Sequence, residues 1–573
     1  MSSFKMNDID LPKKISFRNC FSHSFLYSLK SLILIGFLSI GVLNAQTQKG
    51  PLTIDVKAKG DKFEHFWSKC VGAGRANEGL RASWLEQLKL VKDNCGFEYC
   101  RFHGLFNDEM FVYKVENGNI IYNWQYIDEL FDRMLNTGVR PFVELSFFPK
   151  DLAAKDSKTV FWWNGLTTPD EAKFPQWAEL VKKFTQHCVD RYGMEEVKSW
   201  YFEVWNEPNI TFFDGTKSQY FELYKITVNA VKSVNPALRV GGPSTSAYVP
   251  DDRFAGEKLD NAKAITAKLA DIDVLQWEAP WVKDFLTYCK KENLPVDFIS
   301  THPYPTDFAL DLETNKGVKR TREKEATFKD LTWANTIIRQ SAYPNAEIHL
   351  TEWNTSPSPR DFMHDYLPAA TYIVKANTDC IGLVNSLSYW TFTDIFEENG
   401  AGNTIYHGGF GMINFQGIVK PSFHAYRMLN ELGDVLLYKK DGIVITRNSK
   451  TGKLAAIVYN YPTEQKLVPN RAYTIEEAEI VLERGTARTF SFNLKNLKSK
   501  SRFYLEVLDA ENGNPVKAWK QLNCPETPSR EQVELLKQKA RTLKSAQLTT
   551  GLNGQLNFSK NVSPWSIMLL KEL

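Results

Sequence analysis

The chain lacks a disulfide framework. Of its eight cysteines, Cys20 lies near the start, and Cys70, Cys95, Cys100, Cys188, Cys289, Cys380 and Cys524 are an odd and scattered set. Small disulfide-stapled proteins pair closely spaced cysteines in even number, so that class is excluded. No spacing resembles a zinc site, so most of the cysteines are expected to be small apolar core residues, and neither metal nor cofactor is expected. An excess of one sign of charge is also missing. Seventy Lys and Arg against 67 Asp and Glu leave a formal net charge of +3, which gives no reason to expect nucleic acid or an anionic membrane surface as a partner. Spanning a bilayer takes about 20 apolar residues, and the apolar run at Ser31–Leu43 has 13. Internal repeats and low-complexity tracts are absent too.

That short run has a different meaning. Lys13, Lys14, Arg18 and Lys30 precede it, and Asn44-Ala45 follows before Gln46. A basic flank, a short apolar core and a small residue make a secretory signal, expected over residues 1–45. No cysteine stands directly after the run, which argues against a lipid anchor. The expectation is a secreted or periplasmic protein with no membrane insertion after signal cleavage. Nothing in the pattern specifies an oligomeric state.

Aromatic residues are abundant at 13%, with 15 Trp and 23 Tyr. Such rings fill cores and also suit sugar binding. Between about residues 60 and 433, β-rich runs alternate with helix-length stretches. Eight strands are expected at Phe66–Gly72, Gly96–His103, Val139–Phe147, Ser199–Asn206, Leu238–Gly242, Val296–His302, Glu347–Trp353 and Asn385–Phe392. Eight βα units in this span match a (β/α)₈ barrel, with a doubly wound sheet as the alternative. Asp128–Leu135 and Trp177–Tyr192 carry apolar residues at helical spacing, and Gly138 and Gly193 stand where left-handed caps belong. From residue 434 to 573 the strand-like segments Gly442–Thr446, Leu454–Tyr459, Arg502–Leu508 and Val562–Leu570 indicate an antiparallel β-sandwich. One helix is expected within it at Glu531–Arg541. A strand within residues 50–58 is a candidate to join the sandwich.

Barrel enzymes carry their chemistry at the carboxyl ends of the strands. There the sequence places Arg101-Phe102-His103, Trp205-Asn206-Glu207-Pro208, His302-Pro303-Tyr304, Thr351-Glu352-Trp353 and Tyr389-Trp390. Glu207 and Glu352, on strands 4 and 7, face each other across the barrel mouth. Glycoside hydrolysis needs two such carboxyl groups, one protonated to assist the leaving oxygen and one ionised. Asn206 offers an amide for the sugar 2-hydroxyl. Strand alternation puts Glu203, Trp205 and Glu207 on one face. Glu203 lies deeper, and Glu203 and Glu144 are expected to be buried, paired structural carboxylates. Phe161-Trp162-Trp163 is a candidate wall for substrate.

These stretches carry a resemblance. Arg101–Asp108, Val139–Lys150, Phe202–Asn209 (FEVWNEPN), Val240–Ser244, Ile348–Thr355 (IHLTEWNT), Ser388–Glu398 (SYWTFTDIFEE) and His407–Gly411 (HGGFG) resemble glycoside hydrolase family 39, specifically its bacterial β-xylosidases, over about residues 60–435. The resemblance implies a retaining, exo-acting glycosidase that releases xylose, with Glu207 as acid/base and Glu352 as nucleophile. It implies a sugar pocket lined by His103, Asn206, His302, Tyr304, Trp390 and Glu398, with Glu397 a less definite member. Trp353 stands where the family has Tyr or Phe after the nucleophile, and Pro303 between the two contact residues leaves the exact sugar open. The other readings are the same chemistry on a β-glucoside, β-galactoside or α-L-iduronide, and a non-catalytic sugar-binding barrel.

Overall fold

The computed structural model describes residues 51–161, 165–264, 268, 270–309 and 320–573. The expected signal segment, and Trp162 and Trp163, lie outside the described residues. Residues 51–573 form one compact unit. No described helix is long and apolar enough to cross a membrane.

Eight parallel strands close into a barrel. They are β1 (Cys70–Arg75), β2 (Tyr99–His103), β3 (Arg140–Leu145), β4 (Tyr201–Val204), β5 (Arg239–Ser246), β6 (Phe298–His302), β7 (Glu347–Trp353) and β8 (Ser386–Tyr389). β8 returns to β1 where Tyr389 lies beside Val71, so no edge is left open. A helix follows each strand, which is the (β/α)₈ architecture rather than the doubly wound one. The helix Gln125–Thr137 shows why these segments coil. Ile127, Leu130, Phe131 and Met134 fall on one buried stripe, and Gly138 ends the helix in the left-handed conformation at φ 82°. Gly193, after Phe174–Tyr192, differs: its ψ of 148° extends the chain instead of capping it. The first strand is also displaced. Phe66–Ser68 forms one 3₁₀ turn that buries Phe66 and Trp67, and the ladder starts at Cys70.

Strand alternation builds the barrel interior in layers. Cys70, Tyr99, Phe142, Tyr201 and Phe298 form an apolar floor, with Phe142 and Tyr201 stacked at 4.8 Å. Two residues further along the same strands come Arg101, Glu144, Glu203 and Ser300, all buried. A charged layer therefore sits on an aromatic plug, directly beneath the carboxyl rim.

Apart from two small hairpin-like pairs, Tyr113–Glu116 with Asn119–Tyr122 and Thr306–Asp307 with Arg320–Thr321, the remaining described strands form two facing sheets. One holds Leu52–Asp55, Arg488–Lys495 and Leu556–Val562. The other has seven strands and includes Ile443–Arg447, Leu454–Tyr459, Ile567–Glu572 and Arg502–Leu508. Ile54, Phe492 and Phe558 from the first pack with Ile445, Val458 and Leu570 from the second. The N-terminal strand thus joins the sandwich, and does so parallel to Arg488–Lys495, so the pairing is not wholly antiparallel. The strand expected at Val562–Leu570 is two strands. The chain turns between Val562 and Ile567, with Trp565 at φ 60°. Arg530–Arg541 is the expected helix, and the sandwich carries two more at Ile475–Leu482 and Pro515–Gln521.

Candidate active site

Regular strands deliver neither acid to the rim. β4 ends at Val204, after which Trp205 (φ 71°) and Glu207 (φ 44°) both adopt left-handed backbone, at a cost of about 1–3 kcal/mol each. This breaks the alternation expected for Glu203, Trp205 and Glu207. The Trp205 indole turns away and packs among Phe147, Phe148, Trp177 and Phe213, donating Nε1–H to the Phe212 carbonyl at 2.8 Å. Glu207 is left facing the pocket. β7 solves the same problem with a bulge: its register against β8 shifts between Leu350 and Trp353. Thr351 and Glu352 can then both face inward, while Trp353 packs outward against Tyr372 and Tyr389. One carboxylate oxygen of Glu207 lies within 4.8 Å of one of Glu352. That suits the spacing of about 5–5.5 Å for direct attack rather than the 6.5–9.5 Å that leaves room for a water.

Arg101 organises the floor of the site. Fully buried, it donates Nε–H to Glu203 at 2.5 Å, Nη1–H to Glu352 at 2.8 Å and Nη2–H to Asn206 Oδ1 at 2.8 Å, with Nη2 also 2.8 Å from Glu144. Burial opposes its charge, but Glu144, Glu203 and Glu352 outweigh that and hold the guanidinium protonated. Tyr304 donates its hydroxyl to the other oxygen of Glu352 at 3.1 Å. Glu203 and Glu144 are the paired structural carboxylates expected. Arg101, their common partner, was not singled out from the sequence. Two buried carboxylates on neighbouring strands demand a cation, and Arg101 shares the inward face of β2 with His103.

The two histidines take opposite charge states. His103 lies 2.8 Å from Glu144 through Nδ1. Burial works against its charge, but Glu144, with Glu398 and Glu352 nearby, pushes its pKa up to about 9. His302 is pushed down to about 4, first by burial, with Arg101 and His103 adding repulsion against the pull of Glu352 and Glu203. Neutral His302 carries one ring proton, and its neighbours decide where. Thr351 gives its only hydroxyl proton to Glu203 at 2.8 Å, so at 3.1 Å from His302 Nε2 it can only accept. Ser244 Oγ, which accepts from Arg101 Nη2, is the more distant partner of Nε2 at 3.3 Å, so the nearer Thr351 places the proton on Nε2, and Nδ1 offers a lone pair to Glu207 Oε1 at 2.8 Å. A short bond to that lone pair requires Glu207 to carry a proton.

Above this floor opens a cavity of about 380 Å³, lined by His103, Glu207, Tyr304, Glu352, Trp390 and Glu398 among others. The structure thus puts four of the six expected sugar contacts, His103, Tyr304, Trp390 and Glu398, on the cavity wall, while Asn206 and His302 are not among its lining residues and bond instead to Arg101 and Glu207. Asn206 Nδ2 and Glu398 Oε1 are buried without a hydrogen-bond partner among the described residues, so both are disposed to bind a polar ligand. Glu398 lies 3.5 Å from His103 Nε2, and burial, reinforced by Glu352, pushes its carboxyl well up despite that histidine. Glu397 points elsewhere, to Arg75 at 2.8 Å and Arg81 at 2.7 Å. Trp390 packs with Phe396 and Phe410. Phe161 lines the cavity as its candidate wall role requires. The sequence reading gave no role to Phe410, Phe212 or Phe254. They reach the site from loops, where no periodicity marks them. Glu207, His302 and Glu352 are close enough to hold a cation, but Arg101 and Tyr304 already bond the two oxygens of Glu352, and the imidazole is bonded to Glu207.

A closed parallel barrel with a proton-bearing carboxyl facing a guanidinium-paired carboxylate across a sugar-sized cavity defines a glycoside hydrolase. The sequence matches the model for glycosyl hydrolases family 39 over residues 51–264 and 274–557, and the chain belongs to that family. It is 36% identical over 523 residues to a β-xylosidase of Caldicellulosiruptor saccharolyticus, covering 90% of this chain and 97% of that one. It is 37% identical over 495 residues to a β-xylosidase of Geobacillus stearothermophilus, covering 84% and 88%. The crystal structure of a monomeric β-xylosidase from Caulobacter crescentus superposes with a TM-score of 0.75 at 30% identity, covering 91% of this chain and 99% of that one.

Proposed function

We propose that the protein is a retaining, exo-acting β-xylosidase that removes xylose from the non-reducing end of β-xylosides or xylo-oligosaccharides. The observation that carries the reading is the close approach of Glu207 and Glu352, one held protonated by His302 and the other ionised by Arg101. The relatives supply the sugar. Glu352 attacks the anomeric carbon while Glu207 protonates the leaving oxygen, and a covalent xylosyl-enzyme forms. Glu207, now an anion, takes a proton from water, which displaces Glu352 and restores the starting configuration. His103, Glu398, Tyr304, Asn206 and Trp390 hold the sugar. The same reading carries a cleaved signal over residues 1–45 and a secreted or periplasmic location.

A nitrophenyl-glycoside panel of xyloside, glucoside, galactoside, arabinoside and iduronide tests the substrate, with the β-xyloside expected to lead. Glu352→Ala abolishes turnover. Glu207→Ala keeps slow cleavage of substrates with good leaving groups and gains rate with azide. Release of inverted sugar in an NMR time course refutes retention, and no cleavage of any panel member refutes the enzyme.

A further inference from the structure

The two sides of the cavity differ in chemistry. The loops after β7 and β8 bring Glu398 and Asn399 alongside Glu352, among the apolar Pro357, Pro359, Trp390 and Phe410, and His103 at the end of β2 adds to the polar groups of that side. The loops after β3 to β6 bring Phe161, Ile210, Phe212, Phe254 and Phe308 around Glu207. Ile210 is tied to the acid itself, its N–H donating to the Glu207 carbonyl at 3.2 Å. Phe161 and Phe212 pack edge-on at 5.6 Å. Besides Glu207, and Tyr304 whose hydroxyl donates to Glu352, the polar side chains among the described lining residues on this side are Ser246, Thr306 and Asp307. Asp307 is already engaged: Arg253 donates to both its oxygens at 3.0 and 3.2 Å, and the Ala309 N–H donates at 2.8 Å. Arg253 in turn stacks on Phe308 at 4.6 Å, so the ion pair braces an apolar wall instead of offering itself to a ligand.

The general acid must touch the leaving oxygen, so whatever the sugar is attached to lies on the Glu207 side. Resting on the retaining reading above, we propose that this side selects an apolar aglycone, aryl or alkyl, over a second sugar. Aromatic rings can receive a sugar face, but a sugar also brings a rim of hydroxyls. Ser246 and Thr306 can meet a few of those hydroxyls, but the rest, buried against rings, lose their water for nothing, whereas an aryl or alkyl group gains from every area of wall that it covers. The natural substrates are then xylosides of phenolic or aliphatic alcohols, with xylo-oligosaccharides the weaker class.

Acceptor partitioning tests this without the bias that leaving-group acidity introduces. With 4-nitrophenyl β-xyloside as the one donor, every turnover passes through the same xylosyl ester of Glu352. An acceptor hydroxyl then forms its bond to the anomeric carbon as the ester C–O bond breaks. The bonding pair returns to Glu352 and the hydroxyl proton goes to Glu207. Cyclohexanol and methyl β-xyloside are both six-membered rings offering secondary hydroxyls, and at equal concentration the xyloside has the statistical advantage. Transfer to cyclohexanol is expected to exceed transfer to methyl β-xyloside at least fivefold, and Phe212→Ala and Phe254→Ala are expected to bring the ratio towards one. A wild-type ratio at or below one overturns the proposal, as does a ratio that neither variant moves. Failure to cleave the donor at all instead strikes the xylosidase reading, and the partition is then measured with the glycoside that the panel shows to be cleaved.

Discussion

Thr351 stands beside Glu352 in the sequence but acts on the other acid. Its hydroxyl donates to Glu203 at 2.8 Å and accepts from His302 Nε2 at 3.1 Å, and that acceptance leaves the Nδ1 lone pair for Glu207. Thr351→Val keeps the shape and the β-branch but removes both bonds. Losing the neutral bond to His302 is worth about 0.5–1.5 kcal/mol, or roughly two- to twelvefold in rate. The lost donor to buried Glu203 falls on stability, at about 1–3 kcal/mol. The rate loss has a signature. A substrate with a phenol leaving group needs proton donation, and one with dinitrophenol needs little. In kcat/KM measured across aryl β-xylosides, the variant should therefore fall furthest for the least acidic phenols, giving a steeper dependence on leaving-group pKa. Thr351→Ser should restore the wild-type slope. An equal fall for every leaving group would refute the tautomer reasoning and place the effect on Glu352 or on folding.

Three further predictions follow from the buried charges. His103, pushed up to about 9 chiefly by Glu144 against the effect of its burial, is charged in the folded protein at pH 7, while the unfolded histidine near 6.5 is mostly neutral. The stability it supplies, about 3 kcal/mol for such a shift, is complete below about pH 6.5 and lost as pH rises through 9. Denaturant curves of wild type and His103→Gln should converge by pH 10, and a constant gap would contradict this. Lys420, fully buried, binds Asp365 and Asp394 at 2.7 Å each and the Gly409 carbonyl at 2.9 Å. Lys420→Met strands two carboxylates and should cost about 3–5 kcal/mol in urea unfolding, and a loss below 1 kcal/mol would show that the triad is dispensable. Arg101→Lys gives up the planar fork for a single ammonium, so at least one charged hydrogen bond worth about 1.5–3 kcal/mol goes. The kcat/KM should drop at least tenfold and, unlike Thr351→Val, to the same extent for all leaving groups.

What could be read from the chain divides along a physical line. All eight barrel strands show as β-rich runs because strands buried on both faces must be apolar. The pair Glu207 and Glu352 shows because a carboxylate after such a run has few structural reasons to be there. Trp205 was misplaced because a period of two was carried one residue too far: the ladder stops at Val204, and left-handed backbone reverses the next side chains. The end of the sandwich was misplaced because Ser563-Pro564-Trp565-Ser566 sits between two apolar runs and reads as continuous with them. Of the apolar wall around Glu207, Phe161 alone was read from the sequence, within the cluster Phe161-Trp162-Trp163. Phe161, Phe212, Phe254 and Phe308 come from four different loops, and only the closed barrel brings those loops together.

The charges of the site suggest why so many ionisable groups surround one sugar. Before reaction Arg101 and His103 are positive, Glu144 is held ionised and His302 is neutral, while Glu352 takes the hydrogen bond of the Arg101 guanidinium and Glu207 holds its proton against His302. When Glu352 becomes an ester its negative charge disappears, and in the same step Glu207 gives up its proton and becomes an anion. The buried total is therefore unchanged by the step, and the negative charge has moved less than 4.8 Å, from one side of the anomeric carbon to the other. In a poorly solvated pocket a change of total charge would carry a large desolvation penalty, whereas a short displacement of one charge does not. Neutral His302 suits that displacement. A fixed positive charge at its position, in contact with Glu207 and 3.7 Å from Glu352, would hold Glu207 ionised from the start and leave no proton for the leaving oxygen. On this argument the low pKa of His302 and the high pKa of His103 serve one requirement: Arg101 and His103 bring their charge to the nucleophile, and the imidazole that touches the acid is neutral.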